Sequence, residues 1–454
     1  MSTKNFSEHF RKTILLAWPV MLSNLGNVMV GIVDTAMVGG IREDVFGYSA
    51  TTAQAAVSLA NAIYFLVLVF GVGVSFGVTP LAAEADASFN IDENKKLLSH
   101  AIILNVMTNA VLFLVLLVFS PMMKYIHQPE DVAALAVPYL NVMMLGMIPL
   151  AIFSAFKQFA EGLSFTRVAM FVTVGSNLLN VFLNWVLIYG KFGVTAMGMM
   201  GACWATFYSR VAMAVAMFFY IYYSRNFRNY REAFFFREIS FARLKKIFRI
   251  GATSGMQWVF EVSAFAFALV MIGWIGKREQ AAHQIALQIA AMTYLMASGI
   301  SAAASVRVGN QLGMKNIPEL RRAAFSAFVM AIAAQAFWAV IFILFRFSIP
   351  VLFNNETAVR EIVSSLLVIA ALFQISDGVQ IVGLGVLRGI KDVTVPTWIT
   401  FLAYWLIGLP CSYFFAFKFN LGVEGIWYGL TIGLTVAAIF LFLRFYFVTK
   451  KLTF

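Results

Sequence analysis

The sequence is poor in charged residues for its length. Of its 454 residues, 12% are charged and 61% are hydrophobic, and the mean hydropathy is +0.84. Soluble domains carry roughly 25% charged residues, so a chain this apolar lacks the polar surface of a soluble globule, and disorder is excluded as well. Its apolar runs are long and continuous, unlike the alternating strands of membrane β-barrels. These features predict an all-α integral membrane protein.

Residues that build enzyme and metal sites are also scarce. The chain has two cysteines and four scattered histidines, which excludes a disulfide framework and gives no pattern of metal ligands. The phosphate-loop pattern GxxxxGK[ST] and the zinc pattern HExxH are both absent from the sequence. We therefore expect neither an enzyme nor a cofactor, and any uphill work must draw on an ion gradient.

Twelve apolar runs are long enough to cross a bilayer, which takes roughly 20 residues. They cover residues 13–38, 50–76, 97–120, 133–155, 166–190, 196–222, 247–275, 281–304, 321–350, 360–386, 394–417 and 422–447.

The distribution of basic residues predicts the orientation of these spans. If both termini lie on one side, that side receives 24 of the 33 Lys and Arg residues, and the other side receives eight. Because basic residues collect in cytoplasmic loops, both termini and the central linker should be cytoplasmic, in a plasma (inner) membrane protein. The net charge of +12 then reflects lipid headgroups and topology rather than binding to nucleic acid.

Weak similarities at one spacing indicate an internal repeat. FKQFAEGLSFTR around Gly162 is similar to GVLRGIKD around Gly389, 227 residues later, which is half the chain. FGVTPLAAEADA is similar to ASVRVGNQLGMK near the same spacing, and FGVTAMGMMGA is similar to LGVEGIWYGL 229 residues later. We expect two pseudo-symmetric six-helix lobes, 1–222 and 247–454, joined by a cytoplasmic basic linker at 223–246.

Four charged residues fall inside the predicted spans: Asp34, Arg210, Glu261 and Asp377. A charge at the bilayer centre costs at least ~2.5–3.5 kcal/mol, so such residues are functional candidates. The three carboxylates are candidate binding sites for a cation or a proton. Arg210 has no assigned role beyond a structural hydrogen bond.

Amide side chains accompany each carboxylate. Asn180 and Asn184 share one face of the fifth span and could hold Asp34, although such a pair can also simply join helices.

In the second half, Gln257 lies one turn before Glu261, and Gln374 and Gln380 flank Asp377 at three-residue spacing. Carboxylate and amide oxygens suit a hard cation, so Na⁺ is a possible ligand of Glu261 and Asp377. The alternative is that one of these carboxylates pairs with Arg210.

Several segments, in order along nearly the whole chain, resemble the NorM branch of the multidrug and toxic compound extrusion (MATE) family, within the wider MOP flippase superfamily. They are LAWPVMLSNLGNVMVGIVDTAMVGG, LNVFLNWVLIYG, FEVSAF, AAHQIALQI, SVRVGNQLG and SDGVQIVGLGVLRGIKD. The resemblance implies two six-helix lobes with a cleft that opens to each side in turn. It implies export of cationic drugs in exchange for Na⁺ or H⁺, by a protein that can work as a monomer.

The resemblance also implies roles for individual residues. Asp34 is similar to the family's amino-lobe carboxylate, with Asn180 and Asn184 beside it, and Glu261 and Asp377 resemble the carboxy-lobe cation site of the NorM branch. Phe373, one turn before Asp377, departs from the pattern because it cannot add an oxygen ligand. The alternative function is a flippase for a lipid-linked oligosaccharide or a similar amphiphile.

Overall fold

The computed structural model describes residues 3–41, 46–125, 129–235 and 238–452, and its regular structure there is helical. Twelve of these helices are long and apolar enough to span a membrane, as predicted. They are α1 Ser7–Val38, α2 Ala50–Ala87, α3 Ile91–Met122, α4 Glu130–Gly162, α5 Thr166–Tyr189, α6 Met199–Tyr223, α7 Phe241–Gly273, α8 Lys277–Gly313, α9 Ile317–Leu344, α10 Thr357–Gly389, α11 Thr394–Lys418 and α12 Gly422–Lys451.

The backbone carries the internal repeat more clearly than the sequence does. The described non-glycine residues with a positive φ form three pairs, 226 to 228 residues apart. The pairs are Phe89 with Lys315, Ser164 with Lys391, and Phe192 with Asn420. Side chains rarely adopt this conformation, so its recurrence at equivalent helix ends indicates that both halves use the same turns.

The helix caps repeat as well. Asn90 accepts a hydrogen bond from the backbone N–H of Glu93 at the start of α3, and Asn316 accepts one from Glu319 at the start of α9. These side chains satisfy backbone donors that a helix leaves unpaired at its first turn.

Two compact units divide the described chain within helices rather than at linkers. One comprises 1–21, 86–88 and 256–454, and the other 22–85 and 89–255. The predicted lobes end instead at 222 and begin again at 247. The first half of α1 belongs to the first unit because buried Arg307 of α8 donates to the carbonyl of His9 at 2.8 Å. The His9 ring in turn contacts Glu319 of α9 at 2.9 Å.

Glycines explain why α7 is also divided. Gly73 and Gly77 of α2 form one GxxxG pattern, and Gly251 and Gly255 of α7 form another. A Cβ atom on Gly73 would lie 2.2 Å from Cα of Gly255, and one on Gly251 would lie 2.0 Å from the carbonyl oxygen of Val74. Small residues allow two helix backbones to approach closely, so the first half of α7 packs in the second unit.

The central linker is folded, which corrects its expected boundaries. A 3₁₀ helix covers Arg225–Phe235, and α7 already begins at Phe241. Phe227, Tyr230 and Ala233 are buried at three-residue spacing. This spacing matches the period of a 3₁₀ helix, so one apolar face lies against the protein while the intervening basic residues stay outside.

Candidate cation-binding sites

Asp34 lies near the end of α1 and is buried, with 5% of its surface exposed. Asn184 of α5 donates a hydrogen bond to its Oδ1, and Thr206 of α6 donates to its Oδ2 at 3.0 Å. Each carboxylate oxygen therefore has a donor. Because an unpaired buried charge is costly, these two donors offset part of the cost of placing Asp34 here.

The two predicted amides form part of this network. Asn184 also donates to Oδ1 of Asn180 at 3.2 Å. Asn180 then donates towards the hydroxyls of Thr206 at 3.3 Å and Ser209 at 3.4 Å. Asn184 therefore touches Asp34 directly, whereas Asn180 supports it through Asn184 and Thr206.

Thr206 was missed by the sequence reasoning. A hydroxyl in a transmembrane helix usually donates to its own backbone and carries no pattern that marks it. Its position on the sixth span, one residue-triplet before Ser209, was the only available signal, and it becomes informative once α1, α5 and α6 are packed together.

Arg210 is held by α2 and α4. Its Nη1 donates to the Tyr64 hydroxyl at 2.6 Å, and its guanidinium lies 5.2 Å from the centre of the Tyr64 ring. Gly146 leaves room for it, since a Cβ atom there would lie 2.8 Å from Nη1. The guanidinium also acts on the charge of Asp34. Its hydrogen bond is thus structural, although its partner is a tyrosine side chain.

Glu261 of α7 and Asp377 of α10 form a second buried acidic group, with 9% and 5% of their surfaces exposed. The two carboxyl groups are close enough to interact electrostatically. Gln380 approaches Glu261, but neither polar atom of its fully buried amide completes a hydrogen bond. Glu261, Asp377 and Gln380 thus come together as the sequence indicated.

The other two predicted glutamines bond elsewhere. Gln257 donates to the hydroxyl of Thr397 at 3.0 Å, which joins α7 to α11. Gln374 accepts a hydrogen bond from Thr293 at 2.9 Å and donates to the carbonyl of Gln335 at 3.3 Å. Helical spacing places a residue on a face, but the adjacent helix decides which partner a long amide reaches.

Two tyrosines near Glu261 and Asp377 were also missed. Tyr294 of α8 and Tyr404 of α11 both lie within electrostatic range of the two carboxyl groups. Phe373 contributes a ring and no oxygen, packing against Phe265 with ring centres 6.0 Å apart. A tyrosine in an apolar run gives no signal of its own, because most such rings simply face lipid or neighbouring helices.

The chemistry of this second group fits a hard monovalent cation. Within the described ranges, no cluster of three or more His, Cys, Asp and Glu residues offers a transition-metal site. The oxygens that converge here belong to carboxylates, an amide and a phenol, and oxygen donors suit hard cations.

Comparison with known proteins agrees with this architecture. The MatE family model matches residues 19–186 and 254–414. The multidrug resistance protein NorM of Vibrio cholerae is 30% identical over 443 residues, covering 96% of this chain and 95% of the relative. The multidrug resistance protein MdtK of Yersinia pseudotuberculosis is 31% identical over 448 residues, covering 98% and 96%.

Solved structures share the fold at low sequence identity. The eukaryotic MATE transporter AtDTX14 superposes with a TM-score of 0.85 at 23% identity, covering 97% of this chain and 96% of that one. A MATE protein in a bent conformation gives 0.88 at 20% identity, covering 99% and 98%. With the family match over most of its length and relatives along nearly all of it, this chain belongs to the MATE family of transporters.

Proposed function

We propose that this protein is a secondary active multidrug efflux antiporter that exports organic cations in exchange for Na⁺ or H⁺. The observation that carries the proposal is the pair of separate buried acidic sites, one at Asp34 and one at Glu261 and Asp377. The names of the full-length relatives, which are multidrug resistance proteins, support drugs as the cargo.

Asp34 supplies a site where a proton and a cationic drug compete. Its two donors, Asn184 and Thr206, orient the carboxylate and compensate its burial without neutralising it. A cation or a proton can therefore still add to it. Only one of the two binds at a time, which is the requirement for exchange.

Glu261 and Asp377 supply the second coupling site. Two neighbouring carboxylates repel each other when both are charged, and a proton or a cation between them relieves that repulsion. Occupation of the site would therefore favour a different conformation from the empty site, as alternating access requires. A membrane potential of 100 mV provides ~2.3 kcal/mol per charge, or about a fiftyfold concentration ratio.

The acidic character of both sites favours cationic cargo over the alternative of a lipid-linked oligosaccharide. A flippase for such a lipid must hold an anionic pyrophosphate group, and Asp34, Glu261 and Asp377 would repel it. We place the protein in the plasma (inner) membrane, working as a monomer, with both termini cytoplasmic.

The test is ethidium efflux from cells that express the protein, after a Na⁺ pulse and, separately, after a pH step. The expected result is faster efflux with at least one of the two gradients, and its loss in Asp34→Asn, Glu261→Gln and Asp377→Asn. Asp131→Asn is the matched control, because this carboxylate is exposed at the start of α4. Full efflux in all three site variants would contradict the proposal.

A further inference from the structure

The Tyr404 hydroxyl is a buried polar group without a hydrogen-bond partner. Its side chain is 1% exposed, and no donor or acceptor pairs with its oxygen. Buried hydroxyls are nearly always hydrogen-bonded, because water otherwise solvates them better than the protein does. The retention of this hydroxyl in an apolar helix needs an explanation that packing alone does not supply, since phenylalanine would fill the same space.

The path of α11 brings Tyr404 to the acidic pair. The helix runs along α7, with Phe401 and Phe260 ring centres 5.0 Å apart. Trp405, the next residue after Tyr404, donates to the carbonyl of Phe260 at 3.3 Å, directly before Glu261. These contacts fix Tyr404 at the level of Glu261.

Tyr404 also lies in a π-helical stretch of α11, Leu402–Gly408. A π-helical turn holds an extra residue, so it rotates the side chains that follow and is often found at functional sites. The widened turn therefore lies at the same level as the acidic pair.

Aromatic contacts place Tyr404 beside both carboxylates. Phe265, one turn after Glu261, lies with its ring centre 6.3 Å from that of Tyr404 and 6.0 Å from that of Phe373. Phe373 is one turn before Asp377, so the three rings surround the acidic pair. Tyr404 is within electrostatic range of Glu261 and of Asp377.

We infer that the Tyr404 hydroxyl is an oxygen ligand of a Na⁺ ion held by Glu261 and Asp377, with the Gln380 amide oxygen as a further ligand. The unpartnered atoms of Gln380 and Tyr404 are the second observation beside the acidic pair, because both are buried and both face it. The set combines carboxylate, amide and phenol oxygens, which hard cations prefer. Tyr404 would thereby supply the oxygen that Phe373 cannot.

This inference rests on the proposed ion coupling and selects Na⁺ at this site. A proton needs one carboxylate and no further ligands, whereas Na⁺ gains from each additional oxygen. Tyr404 is therefore a residue that determines ion specificity.

The test is direct binding of ²²Na⁺ to the purified protein in detergent, without any drug. Tyr404→Phe removes only the unpaired hydroxyl and should leave folding intact. Its dissociation constant for Na⁺ should rise about tenfold, equal to about 1.4 kcal/mol. Tyr413→Phe is the matched control, because Tyr413 is on the same helix and is 44% exposed, and it should bind Na⁺ as the wild type does.

The outcomes separate this inference from the proposed function. Na⁺ affinity equal to the wild type in Tyr404→Phe, or in Tyr404→Leu if that variant is the one that purifies as a monodisperse protein, would overturn the role of Tyr404. Absence of Na⁺ binding by the wild type would overturn the site, yet efflux after a pH step would keep the antiport proposal. Normal Na⁺ binding without any ethidium efflux would contradict the drug-export function and leave the site in place.

Discussion

Each buried carboxylate depends on a few neighbouring atoms rather than on its own helix. Asp34 has a donor from α5 on one oxygen and a donor from α6 on the other. Glu261 and Asp377 have each other, the unpaired amide of Gln380 and the hydroxyl of Tyr404. The first site is thus satisfied by protein donors, whereas the second offers acceptor oxygens that suit an ion.

At the residue scale, Thr206→Val tests the support of Asp34. Valine keeps the shape of threonine but leaves Oδ2 of Asp34 and the Asn180 amide without a partner. An unsatisfied buried group costs about 1–3 kcal/mol, so we expect a lower melting temperature of the purified protein. Thr431→Val is the control, because the hydroxyl of Thr431 donates to the backbone of its own helix.

A double-mutant cycle identifies the cause of that loss. In Asp34→Asn protein the charge is absent, so Thr206→Val should destabilise it by less. Strictly additive effects of the two substitutions would mean that Thr206 does not act through Asp34.

At the scale of elements, glycine patterns set how closely helices approach. Gly251 of α7 lies against the backbone of α2 at Val74, where a flexible side chain cannot move aside to make room. The same pairing recurs in the other unit, where a Cβ atom on Gly385 of α10 would lie 2.3 Å from the hydroxyl oxygen of Ser301 in α8. Each unit therefore has one helix pair whose backbones nearly touch.

Gly251→Ala should force α2 and α7 apart and lower the melting temperature. The reason is that its Cβ atom would lie 2.0 Å from a backbone oxygen. Gly175→Ala in α5 is the control, since a Cβ atom there meets nothing within 4 Å. Alanine favours a helix over glycine by roughly 1 kcal/mol, so the control should be neutral or stabilising. Equal melting temperatures for both variants would show that the close approach carries no weight.

At the scale of the whole molecule, twelve spans place both termini on one side of the membrane, whichever side that is. The basic residues of the linker then decide the orientation, because cytoplasmic loops retain Lys and Arg. The exposed face of the linker 3₁₀ helix carries such residues, among them Arg225 and Arg228. Its buried aromatic face anchors it to the protein.

Single-cysteine labelling tests this orientation. After Cys203 and Cys411 are replaced by serine, Lys191→Cys should react with a membrane-impermeant maleimide on intact cells. Asn229→Cys should react only after the membrane is opened. Both side chains are exposed, so access to the reagent is the one difference between them. The reverse pattern would invert the proposed topology.

The sequence by itself determined the membrane class, the twelve spans, the repeat and the three intramembrane carboxylates. These follow from local quantities, namely the length of each apolar run and the cost of a charge within it. Only the tertiary structure decided which polar groups share a site. It joined Thr206 to Asp34, brought Tyr404 to Glu261 and Asp377, and turned Gln257 and Gln374 towards other helices. A hydroxyl or an amide on one helix becomes part of a site only through the helix packed against it, and helical spacing within one segment does not encode that neighbour.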